Sequence, residues 1–336
     1  MRWMLRLLLL AGLSAGAAAA TAWWWLGQPL PLAAPTVEVS IEPGVSPRRV
    51  ADIWVDAGVQ VSPRWLYEWF RWSGRSRQIR AGSYEIETGV TARQLLDKMV
   101  RGDEALESVR LAEGSTFVQV REALARAPAL KPATQGMSEA QLMAALGEPT
   151  LAAEGRFFPD TYAYSRGVSD LTVLKRAHAA MRRRLVSTWA ERATDLPLKT
   201  MDEALILASI IEKETGREAD RATVAGVFNN RLRIDMPLQT DPTVIYGLGA
   251  AFDGNLRKRD LLADTPFNTY TRRGLPPTPI AIPGAASLSA AVQPATTRAL
   301  YFVARGDGSG GSVFSDTLAD HNRAVNQFQR GGRAPP

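Results

Sequence analysis

The chain has 336 residues, 46% hydrophobic and 22% charged, enough for two domains with cores of their own. It has no cysteine and two distant histidines, His178 and His321, without ligand spacing, which leaves no disulfide framework, thiol chemistry, zinc site or Ser-His hydrolase. The net charge of +6 is scattered apart from Arg182-Arg183-Arg184, so it suits an anionic membrane or acidic polymer rather than nucleic acid.

Arg2 and Arg6 precede Leu7–Leu26, a stretch without a charged residue. Its length suits a bilayer crossing, and Trp23-Trp24-Trp25 fits the aromatic belt at an interface. The expected arrangement is a cytoplasmic tail (1–6), a transmembrane helix (7–26) and a stiff proline linker (27–36), with everything beyond outside. A cleaved signal peptide is the rival, because the Ala-rich residues 17–22 resemble a small-residue cleavage region. The Trp cluster and the length favour the anchor.

From Thr36 a weak repeat runs three times, each a strand, a Gly-x-Ser/Thr turn and a helix. The strands are Val37–Ile41, Tyr84–Ile86 and Val109–Leu111. Ser46, Thr91 and Thr116 cap the helices Arg48–Val55, Ala92–Val100 and Phe117–Ala125. Trp65, Trp69, Phe70 and Trp72, at helical spacing on Pro63–Trp72, read as core. Residues 127–148 are punctuated by Ala, Pro and Gly and should hold the domain boundary, so a first region spans 37–148 and a second 149–336.

In the second region Leu171–Arg192 is amphipathic and carries a structural His178. Thr200–Gly216 (TMDEALILASIIEKETG) is the pivotal stretch. Thr200 with Glu203 makes a capping box, Ala204–Ile211 is apolar except for Ser209, and Gly216 is a C-terminal stop. This buried rod ends in Glu212, Lys213 and Glu214. Glu212 stacks over Ser209, Ala208 and Leu205 and has no cationic partner on the helix, whereas Glu214 has Arg217. A carboxylate at a helix C-terminus, partly desolvated, resists ionisation, which is what a general acid needs. Arg217–Arg233 is a further helix. The remainder reads as turns and short strands, including a hairpin of Leu300–Ala304 and Val313–Ser315 around the Gly306–Gly311 loop. That loop lacks the Lys-Ser/Thr ending of a phosphate loop.

Ser209 and Lys213 could form a hydrolase dyad, but the spacing occurs in any helix and no oxyanion loop accompanies it. A single acid, Glu212, beside loops rich in Asn, Gln, Thr and Tyr suits a hydroxyl-rich sugar. Ordinary glycosidases use two carboxylates, and Asp241 is the possible second, unless it only sets a turn before Pro242.

LASIIEKET (207–215), VFNNRLRIDMPLQTDPTVIYG (227–247), FNTYTRRGLPPTPIAIPG (267–284) and YFVARGDGSGGSVFS (301–315) closely resemble the YceG/MltG family. EGRFFPDTY (154–162) and RAGSYEIETGVTARQLLDKMVRG (80–102) extend the resemblance over nearly the whole chain. The family comprises membrane-anchored endolytic murein transglycosylases. The resemblance implies an α+β fold: an N-terminal transmembrane helix, a LysM-like strand–helix module and a mixed α+β catalytic domain. It places that domain in the periplasm, with the chain a single-pass protein of the inner membrane. The implied activity cleaves the MurNAc–GlcNAc bond inside peptidoglycan strands to leave 1,6-anhydro-MurNAc ends, limiting nascent strand elongation. The first acid of the family's ASIxEKE motif falls on Glu212, the expected catalytic residue. Asn230, Gln239, Thr240, Asp241, Asn268 and Tyr270 are the expected groove residues. Asn229 departs from the less polar residue expected there. The expected partners are glycan strands, membrane lipid and peptidoglycan synthases, with no nucleic acid, cofactor or metal. A non-catalytic wall-binding membrane scaffold is the alternative, which the first region alone would support.

Overall fold

A computed structural model of the chain describes residues 2–329. It is a mixed α+β structure of helices and two-stranded sheets, divided into two compact units. The first unit holds Met1–Ser108 with Pro128–Leu130 and Ala163–Val168. The second holds Val109–Ala127, Lys131–Tyr162 and the chain from Ser169 onward. By this division most of 127–148 belongs to the second unit.

The first unit contains α1 (Arg2–Trp25), β1 (Thr36–Ile41), α2 (Pro47–Asp56), α3 (Pro63–Trp72), β2 (Gly82–Glu87) and α4 (Ala92–Arg101). β1 and β2 pair antiparallel, with Val37 opposite Ile86 and Val39 opposite Tyr84. Alternation along β1 sends Val37, Val39 and Ile41 inward, onto Trp54, Leu66, Phe70 and Met99 of the helices. Burying each such side chain stabilises by about 1.5–3 kcal/mol before its entropy is counted. Ser46 and Thr91 cap α2 and α4 as expected.

Two expectations about this unit change. The stiff proline linker expected over 27–36 is bound into this unit rather than standing apart from it. Leu26 and Leu30 are buried in the core, Leu30 N donates to Val90 O (2.8 Å), Ala33 N to Gly58 O (2.8 Å), and Pro31 O accepts from Gln60 N (2.8 Å). The prolines hold the segment extended, and their carbonyls still accept along its edge. The aromatic stripe on α3 is not all core either: Phe70 is buried and Trp69 half-buried, but Trp65 and Trp72 face solvent. At the N-terminus α1 occupies the expected span, yet among the described residues no helix is long and apolar enough to cross a membrane. Several side chains of residues 1–18, including most of the expected tail, lie outside the description.

β3 (Leu106–Arg110) pairs with β4 (Thr161–Ser165), and α5 (Phe117–Arg126) and α6 (Glu139–Ala145) lie between them in sequence. Strands β1 and β2 pair with each other while β3 takes a different partner. The three sequence units are therefore not three copies of one structural unit.

The second unit continues with α7 (Asp170–Ala190), α8 (Met201–Glu214), α9 (Glu218–Arg233), α10 (Asp241–Leu248), α11 (Lys258–Leu262), α12 (Ala285–Val292), the hairpin β5 (Tyr301–Ala304) and β6 (Ser312–Ser315), and α13 (Leu318–Phe328). α8 runs through the centre, with every residue from Ala204 to Ile211 buried, against α7, α9 and α12. Four helices, α10, α11, α12 and α13, stand where turns and short strands were expected. Thr240–Pro242 is the start of α10, with Asp241 in its first turn and Pro242 beside it, where a missing N–H costs nothing.

Candidate active site

The site grows from the last turn of α8. Thr200 Oγ1 accepts from Glu203 N (3.1 Å), but the Glu203 carboxylate accepts from Lys199 N, so the capping box is only half formed. The helix stops at Glu214, and Thr215 leaves it in an extended conformation, ahead of Gly216. Residues two apart on a helix point about 200° apart. Glu212 and Glu214 therefore face opposite ways, and their surroundings decide which one meets a ligand.

Glu212 faces protein. Its carboxylate accepts from Gly284 N (2.9 Å) at the start of α12, and this contact ties the two helices together. A Cβ at position 284 would sit 2.0 Å from the Glu113 carboxylate, so the Glu113 side chain would have to move to admit one. Lys213 donates to Gly114 O (3.1 Å). Ser209 donates to Ile206 O (2.7 Å) and accepts from Ile280 N (3.0 Å), so its hydroxyl is spent on structure. The Ser209–Lys213 dyad does not exist.

Glu214 lines a polar cavity of about 590 Å³. Arg231, Gln239, Asp241 and Tyr270 share its wall, and Tyr301 and His321 extend it along β5 and α13. Thr240 Oγ1 donates to the Glu214 carboxylate (2.7 Å). Tyr270 donates to Asp241 Oδ1 (2.6 Å). Burial pushes the Glu214 carboxyl above the usual carboxylate range; the Thr240 bond and Arg231 oppose this, and the charge of Asp241 adds to it. The desolvated acid expected at 212 is therefore found at 214. Arg217, expected beside Glu214, pairs instead with Asp220 (4.0 Å).

Arg231 is the frame of this cavity. Nearly buried, it donates from Nε to Leu300 O (2.7 Å) and from Nη1 to Leu238 O (2.7 Å) and Pro237 O (3.3 Å), with its guanidinium 5.3 Å from the Tyr301 ring centre. His321 stacks on the same ring at 5.3 Å. Burial, with Arg231 nearby, lowers the pKa of His321 and favours its neutral form. No sequence signal marked His321 or Tyr301, since only the folding of α13 and β5 brings them to the cavity.

The expected groove residues divide. Gln239, Asp241 and Tyr270 line the cavity, Gln239 with a left-handed backbone (φ 49°), and Thr240 touches Glu214 from behind. Asn230 instead donates to Thr297 O (2.8 Å) and Ala299 O (3.1 Å). Asn268 is fully buried, donates to Ala263 O (2.7 Å) and accepts from Tyr270 N (2.9 Å), so it shapes the loop that carries Tyr270. Asn229 points inward to Ala225 O (2.8 Å) and does not reach the cavity.

The model of the YceG-like family matches residues 39–327. A Bacillus subtilis (strain 168) protein named endolytic murein transglycosylase is 31% identical over 317 residues, covering 87% of this chain and 85% of that protein. A Streptococcus pneumoniae (serotype 2) protein of the same name is 27% identical over 283 residues, 74% of this chain, which spans 50% of the length of that relative. A crystal structure of a yceG-like protein from Listeria monocytogenes aligns with a TM-score of 0.53 at 30% identity, over 86% of this chain and 98% of that one.

Proposed function

Since this chain belongs to the YceG-like family, we propose that it is an endolytic murein transglycosylase whose acid–base residue is Glu214 rather than Glu212. The observation that carries this reading is the Glu214 carboxyl on the wall of a polar cavity, where burial raises its pKa and favours the protonated form a general acid needs. Protonated Glu214 donates to the glycosidic oxygen between MurNAc and GlcNAc as the C1–O bond breaks. Ionised Glu214 then takes the proton of the MurNAc 6-hydroxyl as that oxygen bonds to its own C1. Substrate supplies the nucleophile, so no water enters and no second carboxylate is required. Tyr270 and Gln239 on the cavity wall offer the hydrogen bonds that a sugar needs.

Digestion of peptidoglycan in oxygen-18 water tests this. Intramolecular attack leaves the new MurNAc end unlabelled and one water lighter than a reducing end. A labelled reducing end as main product would mean an ordinary two-carboxylate hydrolase, with Asp241 as its base.

Asp241 also sets a pH dependence. Its charge raises the pKa of Glu214, and activity that needs protonated Glu214 falls as pH rises through that value. Asp241→Asn removes the like charge and lowers the pKa of Glu214, so the alkaline limb of the rate profile should move toward acid while turnover persists below it. An unmoved limb, or loss of activity at every pH, would refute this role.

The order β1–α2–α3–β2 with its antiparallel sheet supports the first unit as a LysM-like wall-binding module. The uncharged Leu7–Leu26 behind Arg2 and Arg6 supports α1 as a single-pass anchor in the inner membrane, with the catalytic unit in the periplasm. Release of strands there would limit the elongation of nascent glycan, beside the synthases that make it.

A further inference from the structure

α3 has two unlike faces. Leu66 and Phe70 are fully buried, whereas Arg64, Trp65, Arg71 and Trp72 are exposed, Trp65 by 57% and Trp72 by 77%. With the half-exposed Glu68 between them, these positions repeat at helical spacing and form one outer stripe. Two tryptophans left in water on a ten-residue helix are a cost that the fold of this unit does not require.

The stripe adjoins the end of α1. The rings of Trp25 and Trp65 lie 5.7 Å apart, and a cleft of about 560 Å³ runs between Ala22, Trp25 and Leu26 on one side and Trp65, Trp69 and Trp72 on the other. Trp23 and Trp24 are exposed by 69% and 65%, and Arg93 stacks over Trp23 at 3.6 Å while donating to its carbonyl (3.1 Å). No slack separates α1 from α3, because Leu26 and Leu30 are core residues and the backbone of 30–33 is hydrogen-bonded to Gly58, Gln60 and Val90. The depth at which α1 ends therefore fixes the depth of α3, to within about one helix diameter of 10 Å.

We propose that the outer face of α3 lies in the lipid headgroup layer of the bilayer that α1 enters, so that the first unit rests on the membrane instead of swinging on a tether. This rests on the reading of α1 as an anchor. Lipid is the occupant because the stripe has headgroup chemistry: Trp rings with one apolar and one polar edge, and Arg stems that carry charge to phosphate. The centre of a protein-binding face is depleted in acidic residues; this one has Glu68.

The native chain has no cysteine, so one introduced thiol can be spin-labelled uniquely. Full-length Glu68→Cys, Trp72→Cys and, in α1, Leu13→Cys are each labelled and reconstituted in vesicles of phosphatidylethanolamine and phosphatidylglycerol. Collision with oxygen against a water-soluble nickel chelate then reports depth. The expected result is a Leu13→Cys label at hydrocarbon depth, with labels at 68 and 72 at headgroup depth and a clear loss of nickel access relative to free label in buffer. A Leu13→Cys label in hydrocarbon with labels at 68 and 72 at the aqueous limit overturns the proposal and leaves the anchor standing. A Leu13→Cys label at the aqueous limit overturns the anchor, and the proposal with it.

Discussion

Glu214→Gln should lower glycan cleavage by roughly a hundred- to ten-thousandfold, the usual worth of a positioned acid–base residue, with thermal stability unchanged or slightly raised. Glutamine keeps the shape of the side chain and still accepts from Thr240 Oγ1, now at 2.7 Å from the carboxylate. It cannot donate to a leaving oxygen and then recover a proton. Stability should not suffer, because burial makes the ionised carboxylate costly at neutral pH and the substitution removes that cost. Glu212→Gln is the paired control. Its amide oxygen can still accept from Gly284 N, so cleavage should remain within a few-fold of wild type, and the loss of a charge-assisted bond should cost only about 1 kcal/mol. Peptidoglycan digestion followed by mass analysis of released fragments reads both variants. An inactive, folded Glu212→Gln beside an active Glu214→Gln would return the chemistry to residue 212.

Arg231→Met should produce the largest loss of stability near the cavity. Methionine matches the apolar stem but strands the carbonyls of Leu300, Leu238 and Pro237, which share the Arg231 guanidinium as donor. A buried group left unsatisfied costs about 1–3 kcal/mol. Water from the adjoining cavity can reach part of the gap, so the net loss should be about 3 kcal/mol. For a domain of this size that corresponds to a fall in Tm of roughly 6–12 °C. The same change removes a cation that holds the pKa of Glu214 down. The alkaline limb of activity should therefore move toward base, the reverse of Asp241→Asn. Melting followed by circular dichroism, with a pH–rate profile on the folded protein, checks both. A Tm within about 2 °C of wild type would mean that the guanidinium does not hold this wall.

Much of the molecule follows from local rules. Apolar runs and hydroxyl caps located α2, α4, α5, α7, α8 and α9 to within a few residues, because a cap and a 3.6-residue period act over one or two turns. The apolar run Ala204–Ile211 was enough to mark α8 as the buried axis, and the long motifs around it were enough to mark the family. Sequence also established that Glu212 and Glu214 point apart, since that is a property of the helix alone.

Which of the two faces the cavity was decided elsewhere. It depends on Gly284 N arriving at Glu212 from α12, and on Thr240, Asp241 and Arg231 arriving at Glu214 from α9 and α10. Reading forward along the helix paired Glu214 with Arg217 and left Glu212 free; the chain's return from residues 231–241 and 284 reversed both. For the same reason Asn230 and Asn268 could not be told from Gln239 and Tyr270. All four are polar motif residues, and only the tertiary packing sends two amides to backbone carbonyls and two side chains to the cavity. The tryptophans of α3 followed the same pattern: helical spacing made a stripe evident, but the side of the helix that met the core was set by its packing on α2 and α4. A sequence carries periodicity, capping and composition. The partner of a polar side chain is a long-range fact, and it belongs to the fold.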